Sequence, residues 1–125
     1  MIKGIGIDLI DNSRIQVLHE KYGQVFAKKI LSSAEMIEFR KSRSPVSYLA
    51  KHFASKEALS KALGTGLYRR GIFPSKLTVD HDDIGKPFFI KNDSLLEVLK
   101  SISASNIFLS ISDTDSHSTA MVLVE

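Results

Sequence analysis

Residues 2–10 limit the fold more than any other stretch of this chain. Ile5, Ile7 and Leu9 alternate with Gly4, Gly6 and Asp8, so the segment reads as a strand with its apolar side chains on one face. The opposite face carries two glycines and then a carboxylate. Glycine in a strand leaves a bare strip that another backbone or a ligand can approach closely. Asp8 stands at the end of that strip. A capping role for it would be redundant, because Asp11, Asn12 and Ser13 already offer N-cap chemistry. A dinucleotide-binding fingerprint fails: G-x-G-x-x-G would need glycine where Leu9 stands.

Further along, the pattern predicts a helix over 13–22, with Ile15, Leu18 and Tyr22 on one side and Gly23 as its stop. A short apolar stretch follows through Val25, Phe26, Ile30 and Leu31. Ser32 and Glu35 have capping-box spacing for a second helix to about Arg40. The main helix starts at Ser44-Pro45, an N-cap with proline at the first helical position, and ends at Gly64. Residues 67–75 read as irregular. Strands are predicted over 76–82 and 87–91, then a helix capped by Asn92 or Asp93 and running to about Ala104. Strands over 106–112 and 118–124 close the chain, with Asp113 to Ser116 as their turn. This is an α+β arrangement, with one strand first and a hairpin last around a buried helix. A length of 125 residues suits a single domain over 1–125.

Several classes of chemistry are excluded. The chain has no cysteine, which removes disulfides, zinc fingers, iron–sulfur clusters and thiol nucleophiles. His19, His52, His81 and His117 are too scattered for a zinc site. No G-x-S-x-G elbow supports a serine nucleophile. There is no signal-peptide pattern, and no apolar run approaches the ~20 residues of a membrane span. The expectation is a cytoplasmic protein that does not bind membranes. The net charge of +3 is unevenly spread: residues 14–76 hold 13 Lys/Arg against 4 Asp/Glu, and residues 77–125 hold 3 against 8. Such a basic region suits an anionic partner or a solvated surface.

The main helix holds the second clue. At helical spacing, Val46, Ala50, Phe53 and Glu57 fall on one stripe. A carboxylate in line with core positions is costly unless it is paired or bound to a cation. Lys61, one turn on, offers an i,i+4 salt bridge. Alternatively, Glu57 coordinates a metal and Lys61 holds a phosphate. Asp8 and Glu57 together make two oxygen ligands, and magnesium sites typically combine one or two carboxylates with waters and substrate phosphates.

These residues also carry a resemblance. Gly4-Ile5-Gly6-Ile7-Asp8-Leu9-Ile10, followed by Arg14-Ile15, is similar to the N-terminal signature of the holo-[acyl-carrier-protein] synthases. Phe53-Ala54-Ser55-Lys56-Glu57-Ala58, with Lys61-Ala62-Leu63-Gly64-Thr65-Gly66, resembles their second signature, and Gly85-Lys86-Pro87 a third, shorter one. The resemblance spans essentially the whole chain. It implies a 4'-phosphopantetheinyl transferase-like fold, with a small antiparallel sheet packed on a long central helix, forming homotrimers with active sites between subunits. It implies transfer of 4'-phosphopantetheine from coenzyme A to a serine of apo-acyl carrier protein, for fatty acid biosynthesis. By the same resemblance, Asp8 and Glu57 match the Mg2+ ligands and Lys61 the lysine beside the coenzyme A phosphates. Gly64, Thr65 and Gly66 match the loop near the cofactor, and His52, Lys86 and Pro87 are carried over as cofactor-binding positions. Arg14 matches a basic residue that meets the carrier protein. Leu18 and Lys21 share its helix face at helical spacing and extend the expected docking surface.

Two positions depart from the family pattern: His52 stands where many members have arginine, and Phe108 where many have histidine. In the implied mechanism the carrier serine attacks the phosphorus bearing the pantetheine arm. Glu57, Lys61 and Asp8 form the catalytic set, and adenosine 3',5'-bisphosphate leaves. The serine proton goes to Glu57 or to a metal-bound water that Glu57 orients. A competing reading is a non-catalytic module that recruits carrier protein or nucleic acid through the basic region. Against nucleic acid, only 8% of residues are aromatic, without the basic–aromatic interleaving typical of base stacking.

Overall fold

The computed structural model describes residues 1–125. In chain order the elements are β1 (Gly4–Asp11), α1 (Asn12–Tyr22), α2 (Gln24–Ile30), α3 (Ser33–Lys41) and α4 (Pro45–Leu63). A 3-10 turn (Pro74–Lys76), β2 (Val79–His81), β3 (Pro87–Phe89), α5 (Asp93–Ser101), β4 (Ile107–Asp113) and β5 (His117–Val124) follow. The α+β expectation holds.

The main sheet has strand order β1-β5-β4, all antiparallel. The first strand therefore pairs with the last, Gly4 opposite Val124 and Asp8 opposite Ala120. A separate hairpin joins β2 to β3. Helix α4 crosses the inner face of the main sheet. Its buried side is a ladder of small residues, Ala50, Ala54, Ala58 and Ala62, none more than 4% exposed. Val46, Phe53 and Glu57, the stripe expected to face the core, are instead half-buried along its flank. The small ladder lets the helix backbone come down onto the bare strip of β1. A β-carbon built on Gly4 would lie 1.8 Å from the carbonyl oxygen of Ala62, and one on Gly6 would lie 1.9 Å from that of Ala58. The glycines thus admit a helix backbone, not a ligand. Two residues of strand advance roughly as far as one helical turn, so the two elements stay in step, and Asp8 follows next along the same line.

Element boundaries follow local chemistry. Ser32 and Glu35 form a complete capping box on α3. Gly64 ends α4 in the left-handed region at φ 75, a conformation that costs glycine little. Ser44 occupies the N-cap of α4 without a side-chain capping bond. Three differences from the sequence reading stand out. Residues 24–30 are a helix rather than an unassigned apolar stretch. The first strand of the small hairpin starts at Val79, because Pro74 opens a 3-10 turn through Lys76. Helix α5 stops at Ser101, before Ala104.

Beneath α2 and α3 lies a buried ion pair. The Lys56 side chain is 0% exposed and Glu35 1%. Lys56 Nζ donates to Glu35 Oε1 (2.5 Å), to the Ile30 carbonyl (2.7 Å) and to the Pro74 carbonyl (2.9 Å). Glu35 also accepts from the Ser32 and Val79 amides, at 2.8 and 2.9 Å. Five segments of chain are tied at one point, and every donor of the ammonium is used.

Candidate active site

Asp8 is carried by β1, Glu57 and Lys61 by α4. Lys61 Nζ donates to the Ile7 carbonyl (2.9 Å) and to Asp8 Oδ1 (3.2 Å). The i,i+4 pair with Glu57 is not formed; the lysine reaches across to the strand. The Asp8 side chain is 17% exposed and that of Lys61 52%, so the pair is accessible to solvent. Glu57 is half-buried beside them. Burial pushes its carboxyl above the ordinary carboxylate range, the Asp8 charge pushes it further, and Lys61 acts the other way. The structure thus brings Asp8, Glu57 and Lys61 together, as expected from two distant stretches of sequence.

The loop after α4 adjoins this cluster. The amides of Thr65 and Gly66 both donate to the Ser60 carbonyl, at 3.2 and 3.3 Å. The Thr65 hydroxyl donates to the Gly66 carbonyl (2.9 Å). Gly64 and Gly66 are exposed and Thr65 half-buried.

His52 and Pro87 meet elsewhere, in a cavity of about 260 Å³ between α4, the β2–β3 hairpin and the end of β4; Lys51, His81 and Asp113 also line it. His52 is 5% exposed and stacks on Tyr48 with ring centroids 3.9 Å apart. Its Nδ1 lies 2.7 Å from the Tyr48 carbonyl, which can only accept, so Nδ1 carries the proton. Burial lowers the imidazole below its ordinary value, although Glu35 opposes this. Lys86 is exposed, and its backbone N–H closes the hairpin turn on Asp82. Arg14, Leu18 and Lys21 are all exposed on α1, next to a groove of about 330 Å³ lined by Leu18, Tyr22, Val25, Phe26 and Lys29.

Sequence reasoning missed the Lys56–Glu35 pair. Glu35 was legible only as a capping residue and Lys56 only as part of a signature. The available signal was a second lysine on a helix that is otherwise small and apolar on its inner side.

The chain has close relatives. The sequence model of the 4'-phosphopantetheinyl transferase superfamily matches residues 4–121. The chain is 44% identical to the holo-[acyl-carrier-protein] synthase of Nitrosospira multiformis, over 100% of this chain and 99% of that protein. It superposes on the crystal structure of the Neisseria meningitidis holo-[acyl-carrier-protein] synthase with a TM-score of 0.93 at 42% identity, covering 100% of this chain and 99% of that one. The Bacillus anthracis synthase, crystallised in complex with coenzyme A (3',5'-ADP), gives a TM-score of 0.82 at 32% identity, with 99% and 96% coverage. With identity and fold matched over its full length, and with both signatures in place, the chain belongs to the holo-[acyl-carrier-protein] synthase family of the 4'-phosphopantetheinyl transferase superfamily.

Proposed function

We propose that this protein transfers the 4'-phosphopantetheine arm of coenzyme A to a serine of an apo-acyl carrier protein. The observation that carries this reading is the convergence of Asp8, Glu57 and Lys61 from β1 and α4. The donor set suits a divalent magnesium ion: two carboxylates, oxygen only, one of them already disfavoured as an anion by its neighbour. Asp8 and Glu57 would hold that ion, which when bound supplies positive charge against the pyrophosphate of coenzyme A.

The remaining work falls to the chain itself. Lys61 already bridges to Asp8, and its half-exposed ammonium is placed to bind phosphate oxygens and offset charge on the leaving side. The serine oxygen forms a bond to the phosphorus that bears pantetheine. The bond from that phosphorus to the bridging oxygen breaks, and adenosine 3',5'-bisphosphate departs with the electron pair. Glu57, or a water it orients, takes the serine proton. His52, Pro87 and Lys86, matched to cofactor contacts by the family resemblance, would meet the nucleotide end of coenzyme A.

Two surfaces serve assembly and partner choice in this reading. Arg14, Leu18 and Lys21 dock an acidic helix of the carrier protein, with the neighbouring groove taking its apolar side chains. The outer face of the sheet carries Ile5, Ile7, Leu9, Phe108 and Met121, all between 43% and 68% exposed. An apolar sheet face of this size calls for cover, and a homotrimer supplies it. Phe108 stands on this face, and if the protein is active in transfer, a histidine at that position is not essential here.

The deciding experiment incubates the protein with apo-carrier protein, coenzyme A and magnesium and weighs the carrier by mass spectrometry. A gain of one phosphopantetheine per carrier, dependent on magnesium, is the expected result. No mass gain, with carrier protein still bound, would leave the molecule a non-catalytic recruiter.

A further inference from the structure

Between α2, α3 and the 3-10 turn, a cavity of about 380 Å³ is ringed by Lys28, Arg40 and Lys76, and shares no lining residue with the Asp8–Glu57–Lys61 cluster. Ser33 and Ser75 add two hydroxyls, and no carboxylate lines it. None of the three cations makes an ion pair elsewhere in the protein; the salt bridges involve other lysines and His52. The floor is apolar, from Leu31 (2% exposed) and Met36 (4%). Three like charges around one concavity repel, and no carboxylate in its lining offsets them.

The arrangement is also held in place. Lys28 comes from α2, Ser33 and Arg40 from α3, and Ser75 and Lys76 from the 3-10 turn. The buried Lys56 ammonium binds the Ile30 carbonyl at the end of α2 and the Pro74 carbonyl at the start of the 3-10 turn. Its partner Glu35 closes the capping box of α3. One buried hub therefore fixes all three walls, so the backbone ordering that a ligand would otherwise impose is already complete.

We propose that this cavity is a second anion site, separate from the transfer site, and that it takes a phosphorylated small molecule. The phosphate sits among Lys28, Arg40 and Lys76, where the arginine fork can bind it through two parallel hydrogen bonds. The serine hydroxyls complete its shell, and the body of the ligand rests on Leu31 and Met36. The cavity exceeds what a lone phosphate fills, and its apolar floor suits an organic group. The inference does not depend on the proposed transfer reaction.

The test is a titration of the 15N-labelled full chain with inorganic pyrophosphate, followed at the amides of Ser33, Ser75 and Lys76, which report on this cavity alone. Saturable shifts are expected at all three. The exposed pair Arg40→Gln and Lys76→Gln, combined, should weaken them about tenfold while leaving the melting temperature and distant amides unchanged. Absence of saturable shifts, or shifts unaffected in the double variant, would overturn the proposal. A second arm uses vesicles of phosphatidylglycerol. Co-sedimentation that depends on Arg40 and Lys76, without a response to pyrophosphate, would assign the site to a lipid headgroup and overturn the free-ligand reading.

Discussion

Lys61 Nζ lies 3.2 Å from Asp8 Oδ1, on a strand 53 residues earlier in the chain, and leaves Glu57 on its own helix without that ion pair. Glu57 is a half-buried carboxyl whose proton affinity is raised, first by burial and then by the Asp8 charge, with Lys61 opposing. A group whose folded value lies above its unfolded one stabilises the fold at low pH and loses that contribution as pH rises through the folded value. Near neutrality, then, Glu57 works against stability. Glu57→Gln keeps the shape and removes the charge. Transfer should fall by about 10²–10³-fold or more, with a melting temperature equal to wild type or higher. Parallel activity and calorimetry decide this: near-normal activity with easier unfolding would make Glu57 merely structural.

Gly6 faces the Ala58 carbonyl with no room for a methyl group. The obstructing atom is helix backbone, which cannot swing aside. Gly6→Ala should cost about 3 kcal/mol, read from urea denaturation, and should lower activity by shifting Asp8 relative to α4.

Lys56 is a case of a buried charge with all its partners inside the protein. Lys56→Met leaves Glu35 as an unpaired buried carboxylate and frees the Ile30 and Pro74 carbonyls. A loss of about 3–5 kcal/mol is expected. Adding Glu35→Gln to Lys56→Met should recover part of it, which a double-mutant cycle measures.

His52 is held neutral by burial, with Glu35, Lys56 and His81 as its charged or titratable neighbours. Its folded value lies below its unfolded one, so its contribution is complete above the ordinary imidazole value of about 6.5 and declines as pH falls below it. Thermal unfolding between pH 7 and pH 5 should show this decline, and His52→Gln should flatten it over that window.

The outer sheet face carries the assembly prediction. Ile7 is 61% exposed at the centre of an apolar face, opposite Met121 on the neighbouring strand. Ile7→Glu should convert the expected trimer to a monomer in sedimentation velocity, with little change in the far-ultraviolet spectrum. A wild-type protein that is active as a monomer at micromolar concentration would count against the trimer.

Much of this was readable in the sequence because the signals are local. Pro45 and Gly64 bracket α4 by backbone chemistry alone, and Ser32 with Glu35 announces α3. Alternation gave β1 and, with it, the side on which Asp8 stands. The failures share a different cause. Helix α2 has no side-chain cap, only Gly23 before it, so its apolar run carried no start signal. Spacing along the helix offers Lys61 a partner in Glu57 but says nothing of the strand beneath, where Asp8 accepts its hydrogen bond. The Lys56–Glu35 pair joins residues 21 apart, and no periodicity encodes that contact. The two glycines showed that something comes close, and only the packing identified it as the backbone of α4.

The pairing of β1 with β5 has a bearing on how the chain is made. Gly4 finds its partner at Val124, so β1 has no sheet to join until β5 has been made. Until then Ile5, Ile7 and Leu9 belong to a segment whose earlier-made neighbours are helices, chiefly α4. Closure over that separation is slow, since so much chain must be ordered before the contact repays it. The nascent protein is therefore most vulnerable to sticking to other copies while β5 is still unpaired, and a chaperone that shields β1 would protect it most.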